Sequence, residues 1–112
     1  DKSWRDRSFE TIAGWQENGA AMHYRATPET NARIVPPGFL LLDSGAQYLG
    51  GTTDITRTIA VGAVTKEMKD AYTRVLKGHI GIASALFPEG ITGQHIDMRA
   101  RQALWEAGLD YG

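Results

Sequence analysis

The stretch Leu40-Leu41-Leu42-Asp43-Ser44-Gly45-Ala46-Gln47-Tyr48-Leu49-Gly50-Gly51-Thr52-Thr53-Asp54-Ile55-Thr56-Arg57-Thr58 decides the reading of the chain. Leu40-Leu41-Leu42 reads as a buried strand, and Ile55 and Ile59 beyond Asp54 continue an apolar alternation with threonine between. Gly50-Gly51 supplies permissive turn backbone, so the stretch predicts a hairpin. Ten residues lie between Asp43 and Asp54. Because that number is even, a bulge-free hairpin with a two- or four-residue loop puts both carboxylates on one face of the sheet. They would stand opposite or diagonal, with Cβ atoms roughly 4.5–8 Å apart.

Taken alone, Asp43 would only begin a turn with Ser44-Gly45, and Asp54 would be a polar residue on a solvated strand. Their neighbours argue otherwise, since a carboxylate directly after a buried run is not where a solvated charge belongs. Two carboxylates so close repel each other, and one stays protonated unless a cation lies between them. Arg57 does not supply that cation. It is an odd number of residues from Asp54 and points to the other face of its strand. Clustered hard oxygen donors suit Mn²⁺, Mg²⁺, Zn²⁺ or a similar ion.

Residue by residue, Phe39 to Gly62 resembles the metallopeptidase family of aminopeptidase P, prolidase and methionine aminopeptidase, which has the pita-bread fold. Asp43-Ser-Gly followed by Asp54-Ile-Thr-Arg-Thr58 matches the family's first two metal-ligand motifs in spacing and neighbours. The string from Asp43 to Asp54 is most similar to that of the larger Xaa-Pro aminopeptidases. Asn18-Gly19-Ala-Ala-Met-His23-Tyr24 looks like the family's preceding strand, whose histidine lines the substrate site without binding metal.

The resemblance implies a metal-dependent aminopeptidase releasing the N-terminal residue from Xaa-Pro peptides, with prolidase or a metal-free binding or scaffold protein as alternatives. It implies two divalent ions, Mn²⁺ as the usual choice and Co²⁺ or Zn²⁺ as others, which lower the pKa of water and polarise the scissile carbonyl. Asp54 would bridge the ions, Asp43 would bind one of them, and His23 would contact the reacting peptide. The hydroxyls of Thr52, Thr53, Thr56 and Thr58 are candidates to orient the aspartates, Thr56 and Thr58 above all, although β-propensity explains them equally well. The family's remaining ligands, a His and two Glu, lie in segments that would follow Gly112. Residues 1–112 are therefore expected to be part of one catalytic domain whose downstream half is absent, inactive as they stand and prone to self-association. A homodimer is expected of the intact enzyme.

Composition sets outer bounds. The chain of 112 residues is one domain at most, and its apolar and charged fractions are those of an ordinary globular protein. A formal net charge of −1 gives no electrostatic case for nucleic acid or an anionic membrane. No apolar run approaches a membrane span, and Asp1-Lys2-Ser-Trp-Arg5-Asp6-Arg7 does not read as a signal peptide. The absence of cysteine removes disulfides and thiolate chemistry and is compatible with the cytoplasm. Gly50-Gly51 lacks the lysine of a phosphate-binding loop, and Ser44 and Ser84 lack a base in the order a serine hydrolase needs.

The pattern along the chain is α+β, antiparallel strands followed by two helices packed on one side of the sheet. Met22-His23-Tyr24 is expected to be extended, and Arg25 to Asn31 a loop leading to a turn at Pro36-Pro37-Gly38. Beyond Gly62 the period becomes helical. Met68, Ala71, Tyr72, Val75, Leu76, His79, Ala83 and Leu86 share one stripe, with Thr65 as N-cap and Pro88-Glu89-Gly90 as the stop. In the second helix Ile96, Ala100, Ala103, Leu104 and Ala107 form the buried face and Gly108 the C-terminal cap. His79 reads as a hydrogen-bonded core residue and His95 as part of a solvated helix start.

Overall fold

A computed structural model describes residues 2–112 and divides the chain into two compact units, residues 1–64 and 65–112. The first unit is antiparallel β-structure. Strands β1 (Trp4–Arg7), β4 (Ala46–Tyr48) and β5 (Gly51–Thr52) make one sheet in the order β1-β4-β5. A second sheet has the order β2-β3-β6, from β2 (Ile12–Trp15), β3 (Gly38–Ser44) and β6 (Ile55–Val61).

The predicted hairpin is present and runs through both sheets. Asp43 stands opposite Thr56 and Gln47 opposite Thr52, so each strand advances by the same count and the register is unbroken. Its tip is Leu49-Gly50 and not Gly50-Gly51, because Gly51 already pairs with Tyr48 at the start of β5. The ladder changes sheet at Gly45. A Cβ there would collide with the Ser8 hydroxyl and the Thr53 carbonyl and lie 2.7 Å from the Phe9 ring, so only glycine allows the crossing. Ser8 ties the seam by donating its backbone N–H to the Gly45 carbonyl (3.2 Å) and its hydroxyl to that of Thr53 (2.9 Å).

The strand beside β3 differs from expectation. It is β2, with Ile12 opposite Asp43 and Trp15 opposite Leu40, whereas Met22-His23 lies in a turn. The residues between follow local bonding: Gln16–Ala20 is a 3₁₀ turn, Ala21 donates to the Asn18 carbonyl (3.3 Å) and Tyr24 to that of Ala21 (3.2 Å). Backbone donors spent on such turns cannot join a ladder.

The second unit is a helical pair, α1 (Lys66–Ala83) and α2 (Gly93–Trp105). Thr65 caps α1 as expected, its hydroxyl accepting the Met68 N–H at 3.2 Å. The face that meets α2 is not the bulky stripe. It centres on buried Gly78, where a Cβ would collide with the Ala100 carbonyl, and Arg74 donates to the Ala103 carbonyl at 2.8 Å. Small residues let the two backbones approach, while Tyr72, Val75 and Leu76 remain 44%, 54% and 44% exposed. Leu86 lies beyond the helix and His79 is exposed, without the hydrogen bond expected of a core histidine.

On α2, Ile96, Ala100, Ala103 and Leu104 turn inward as predicted, Leu104 being buried, whereas Ala107 is exposed. Gly108, at φ +68°, ends the helix: its N–H reaches the Trp105 carbonyl (2.9 Å) and that of Leu109 the Leu104 carbonyl (3.0 Å). His95 sits in the first turn and accepts the Thr92 backbone N–H on Nδ1 at 3.0 Å. Arg101 holds the chain after the helix, bonding Asp97 (2.7 Å), Asp110 (2.9 Å) and the Tyr111 carbonyl (2.7 Å). No helix among the described residues is long and apolar enough to cross a membrane.

Two outcomes follow for stability. Gly45→Ala should lower the urea midpoint of the chain by an amount equivalent to about 1–3 kcal/mol, while Gly50→Ala, in open space, should change it little. Equal midpoints for the two variants would refute the seam. The Glu67 carboxyl is held low by its own backbone N–H and the Thr65 hydroxyl, and that of Asp110 by the Trp105 side chain, the Tyr111 N–H and Arg101. Both lowered groups stabilise the helical pair above the ordinary carboxylate range, and the contribution disappears as pH falls through it. Helical ellipticity should therefore melt at lower temperature at pH 3 than at pH 7, and Glu67→Gln with Asp110→Asn should narrow the difference.

Candidate metal centre

Strand alternation and the unbroken register bring Asp43 and Asp54 together. Asp43 is the penultimate residue of β3, on the face it shares with Leu41, Thr56 and Thr58, and Asp54 lies two residues before Thr56. The aspartates are thus diagonal neighbours with Cβ atoms expected roughly 7 Å apart. Both line a cleft of about 610 Å³ in the first unit, and His23 lines it too. Its walls also include Phe9, Glu10 and Arg25.

Asp43 is half-buried, and its Oδ1 is buried without a hydrogen-bond partner. A buried carboxylate oxygen left unpaired is costly, and a cation in front of it removes the cost. Oxygen donors of this kind suit a hard divalent ion, so the residues fit the metal inferred from the sequence. Asp54 is exposed on the same cleft. Among the described residues no group of three His, Cys, Asp or Glu side chains converges as a ligand set. Asp43 and Asp54 are therefore a pair, with His23 near them but outside the set.

His23 reaches the cleft by a route that the sequence did not reveal. Its backbone has φ +54°, a left-handed conformation that costs a side-chain-bearing residue energy and that clusters at functional sites. The surrounding loop is braced. The Asn18 amide donates to the Tyr24 hydroxyl (3.1 Å) and the Thr30 carbonyl (2.9 Å), and Tyr24 donates to that carbonyl as well (2.9 Å). Gln16, also left-handed at φ +52°, accepts the Phe39 N–H at 3.1 Å and fixes the start of β3.

The threonines divide. Thr53 binds back to Ala46, its hydroxyl accepting the Ala46 N–H at 2.9 Å, and Thr52 donates to the Gln47 side chain at 2.6 Å, so these two brace the hairpin. Thr56 stands opposite Asp43, and Thr58 is the next residue on that face. Arg57 is exposed on the other face, as predicted, and donates to the Thr56 carbonyl. The cleft-lining roles of Phe9, Glu10 and Arg25 carried no signal in the sequence, because they depend on where β2 and the His23 loop lie.

A sheet-borne aspartate pair in a braced cleft is an arrangement able to hold a hard divalent ion. Residues 1–112 match the model of metallopeptidase family M24, and the chain belongs to that family. It is 51% identical over 106 residues to aminopeptidase P2 of Arabidopsis thaliana and 51% identical over 105 residues to Xaa-Pro aminopeptidase ApepP of Drosophila melanogaster. Those alignments cover 95% and 94% of this chain but 15% and 17% of the relatives, so the chain spans about a sixth of their length.

Among solved structures it is similar to the X-prolyl aminopeptidase of Caenorhabditis elegans, a cytosolic enzyme with a di-nuclear active site. The TM-score is 0.84 and the identity 41%, over 99% of this chain and 18% of that one. The prolidase from Pyrococcus furiosus has a TM-score of 0.77 and 30% identity over 95% of this chain and 30% of that one. The pita-bread fold read from the sequence is the fold of these neighbours.

The unpaired oxygen gives the aspartates different roles in metal-free protein. Asp43→Asn, which replaces a partly buried unpaired carboxylate by a neutral amide, should raise the urea midpoint by the equivalent of about 1 kcal/mol. Asp54→Asn should stay within about 0.5 kcal/mol of the parent, being exposed. Identical shifts for both would show that burial of Oδ1 carries no cost.

Proposed function

We propose that the polypeptide carrying this chain is a dinuclear metal aminopeptidase that removes the N-terminal residue from peptides with proline second. The observation that carries the reading is the Asp43–Asp54 pair lining one cleft with His23, with Asp43 Oδ1 buried and unpaired. Identity supports it: the relatives at 51% are aminopeptidases P, and the neighbour at 41% is an X-prolyl aminopeptidase, against 30% for a prolidase. Presence of both aspartates argues against a metal-free scaffold.

In this reading Asp54 would hold both divalent ions and Asp43 one of them, with Mn²⁺ as the expected metal. When bound, the ions supply a lowered pKa for water and polarisation of the scissile carbonyl. His23 contacts the reacting peptide, and Thr56 and Thr58 orient the aspartates. The other donors and the general base come from further segments of the same catalytic domain. Large apolar side chains left open within each unit, Ile59 in the first and Val75 and Leu76 in the second, fit further segments that cover them. The uncovered apolar side chains would also drive self-association of residues 1–112 in isolation. The working assembly is a homodimer, and the compartment the cytoplasm.

The test pairs elemental analysis with hydrolysis of an Xaa-Pro peptide by the full-length polypeptide. Asp54→Asn should lose both ions and lower kcat/KM by more than about a hundredfold, while Asp43→Asn should deplete one ion more than the other. Glu89→Ala, on an exposed loop, serves as control, and residues 1–112 alone should hydrolyse nothing. Full metal content and near-normal turnover in Asp54→Asn would overturn the reading.

A further inference from the structure

The cleft contains one charged group that the metal pair does not explain. Arg25 lines it together with Glu10, Asp43 and Asp54, yet among the described residues its guanidinium makes no hydrogen bond or ion pair. Glu10 turns instead toward Arg7, at 3.9 Å, and that pair is well exposed on both sides. Arg25 is two positions after His23, and Tyr24 between them is fixed through its hydroxyl, which donates to the Thr30 carbonyl and accepts from the Asn18 amide. The backbone that carries the cation is therefore braced, while the exposed guanidinium itself is free to turn toward a ligand.

We propose that Arg25 is a specificity-determining contact that takes a peptide carboxylate on the leaving side of the scissile bond. This rests on the aminopeptidase reading. With the scissile carbonyl at the aspartates and His23, a peptide continuing along the same segment passes toward Arg25. Two extended residues span at most about 7 Å, so the carboxylate belongs to the residue after proline or its near neighbour. It is either the C-terminal carboxylate of a short peptide or an acidic side chain. A guanidinium fork suits this group, since it can bind both oxygens of a carboxylate at once. A cleft of about 610 Å³ is within the size range of pockets that enclose small ligands of this kind.

The experiment uses the full-length polypeptide loaded with Mn²⁺ and two substrate pairs: an Xaa-Pro-Ala peptide as free acid or amide, and an Xaa-Pro-Asp amide or its Asn counterpart. The wild type should show a KM roughly three- to tenfold lower for the carboxylate member of at least one pair, with the preference shrinking at high salt. The pair that responds identifies the source of the carboxylate. Arg25→Ala should bring that KM ratio close to one, and Arg25→Lys should keep part of it. An unchanged ratio in Arg25→Ala, or no preference in the wild type, overturns the proposal.

Calorimetric titration with peptides carrying a reduced, uncleavable bond separates this outcome from failure of the function itself. If no Xaa-Pro peptide is cleaved, the aminopeptidase reading falls. Tighter binding of acid than amide, lost in Arg25→Ala, would still support the Arg25 contact, and equal binding would overturn it.

Discussion

Everything at the candidate site depends on one register, that of the β3–β6 ladder continued into β4–β5. Asp43 is on the cleft face only because it pairs with Thr56, and a slip of one residue would send its carboxylate to the face of Leu40 and Leu42. The two-residue tip fixes that register from one end. Gly45 fixes it from the middle, where the ladder passes from one sheet to the other against Ser8 and Phe9. The same crossing that forbids a side chain at 45 leaves the carboxylates on either side of it facing one space.

Around this rigid part the cleft is completed by less regular backbone. β2 sets Ile12 against Asp43, and the loop after Trp15 carries His23 and Arg25 to the opposite wall. Left-handed backbone at Gln16 and His23 is held by hydrogen bonds from Phe39, Asn18 and Tyr24. The unfavourable dihedral of His23 and the buried unpaired oxygen of Asp43 thus occur in the same cleft, a local cost expected where structure is kept for function.

The hairpin, the two helices and their caps were legible in the sequence because each rests on local physics: alternation, a helical period, a hydroxyl before Lys66, a glycine after Ala107. The face that α1 buries was not. Hydrophobic periodicity points to its bulky stripe, whereas close backbone approach selects Gly78 and Ala100, and a small-residue contact leaves no apolar signal. The extended reading of Met22-His23-Tyr24 failed for a related reason. Tyr24 suits a strand by composition, but its hydroxyl and the Asn18 amide share the Thr30 carbonyl, and such a tertiary arrangement cannot be read from propensity. The aspartate pair was legible from spacing alone, and the cleft opposite it was not.

The order of strand pairing has a kinetic meaning. Gln47 meets Thr52 and Asp43 meets Thr56 across short loops, whereas Ile12 must find Asp43, and Trp4 must find Tyr48, across much longer ones. Loop closure favours the nearer partners, so the hairpin can zip from its tip before the N-terminal arm docks. The two carboxylates would become neighbours early, on a ribbon still open to solvent. The walls carrying Ile12, His23 and Arg25 would then assemble around a pair of charges already in place.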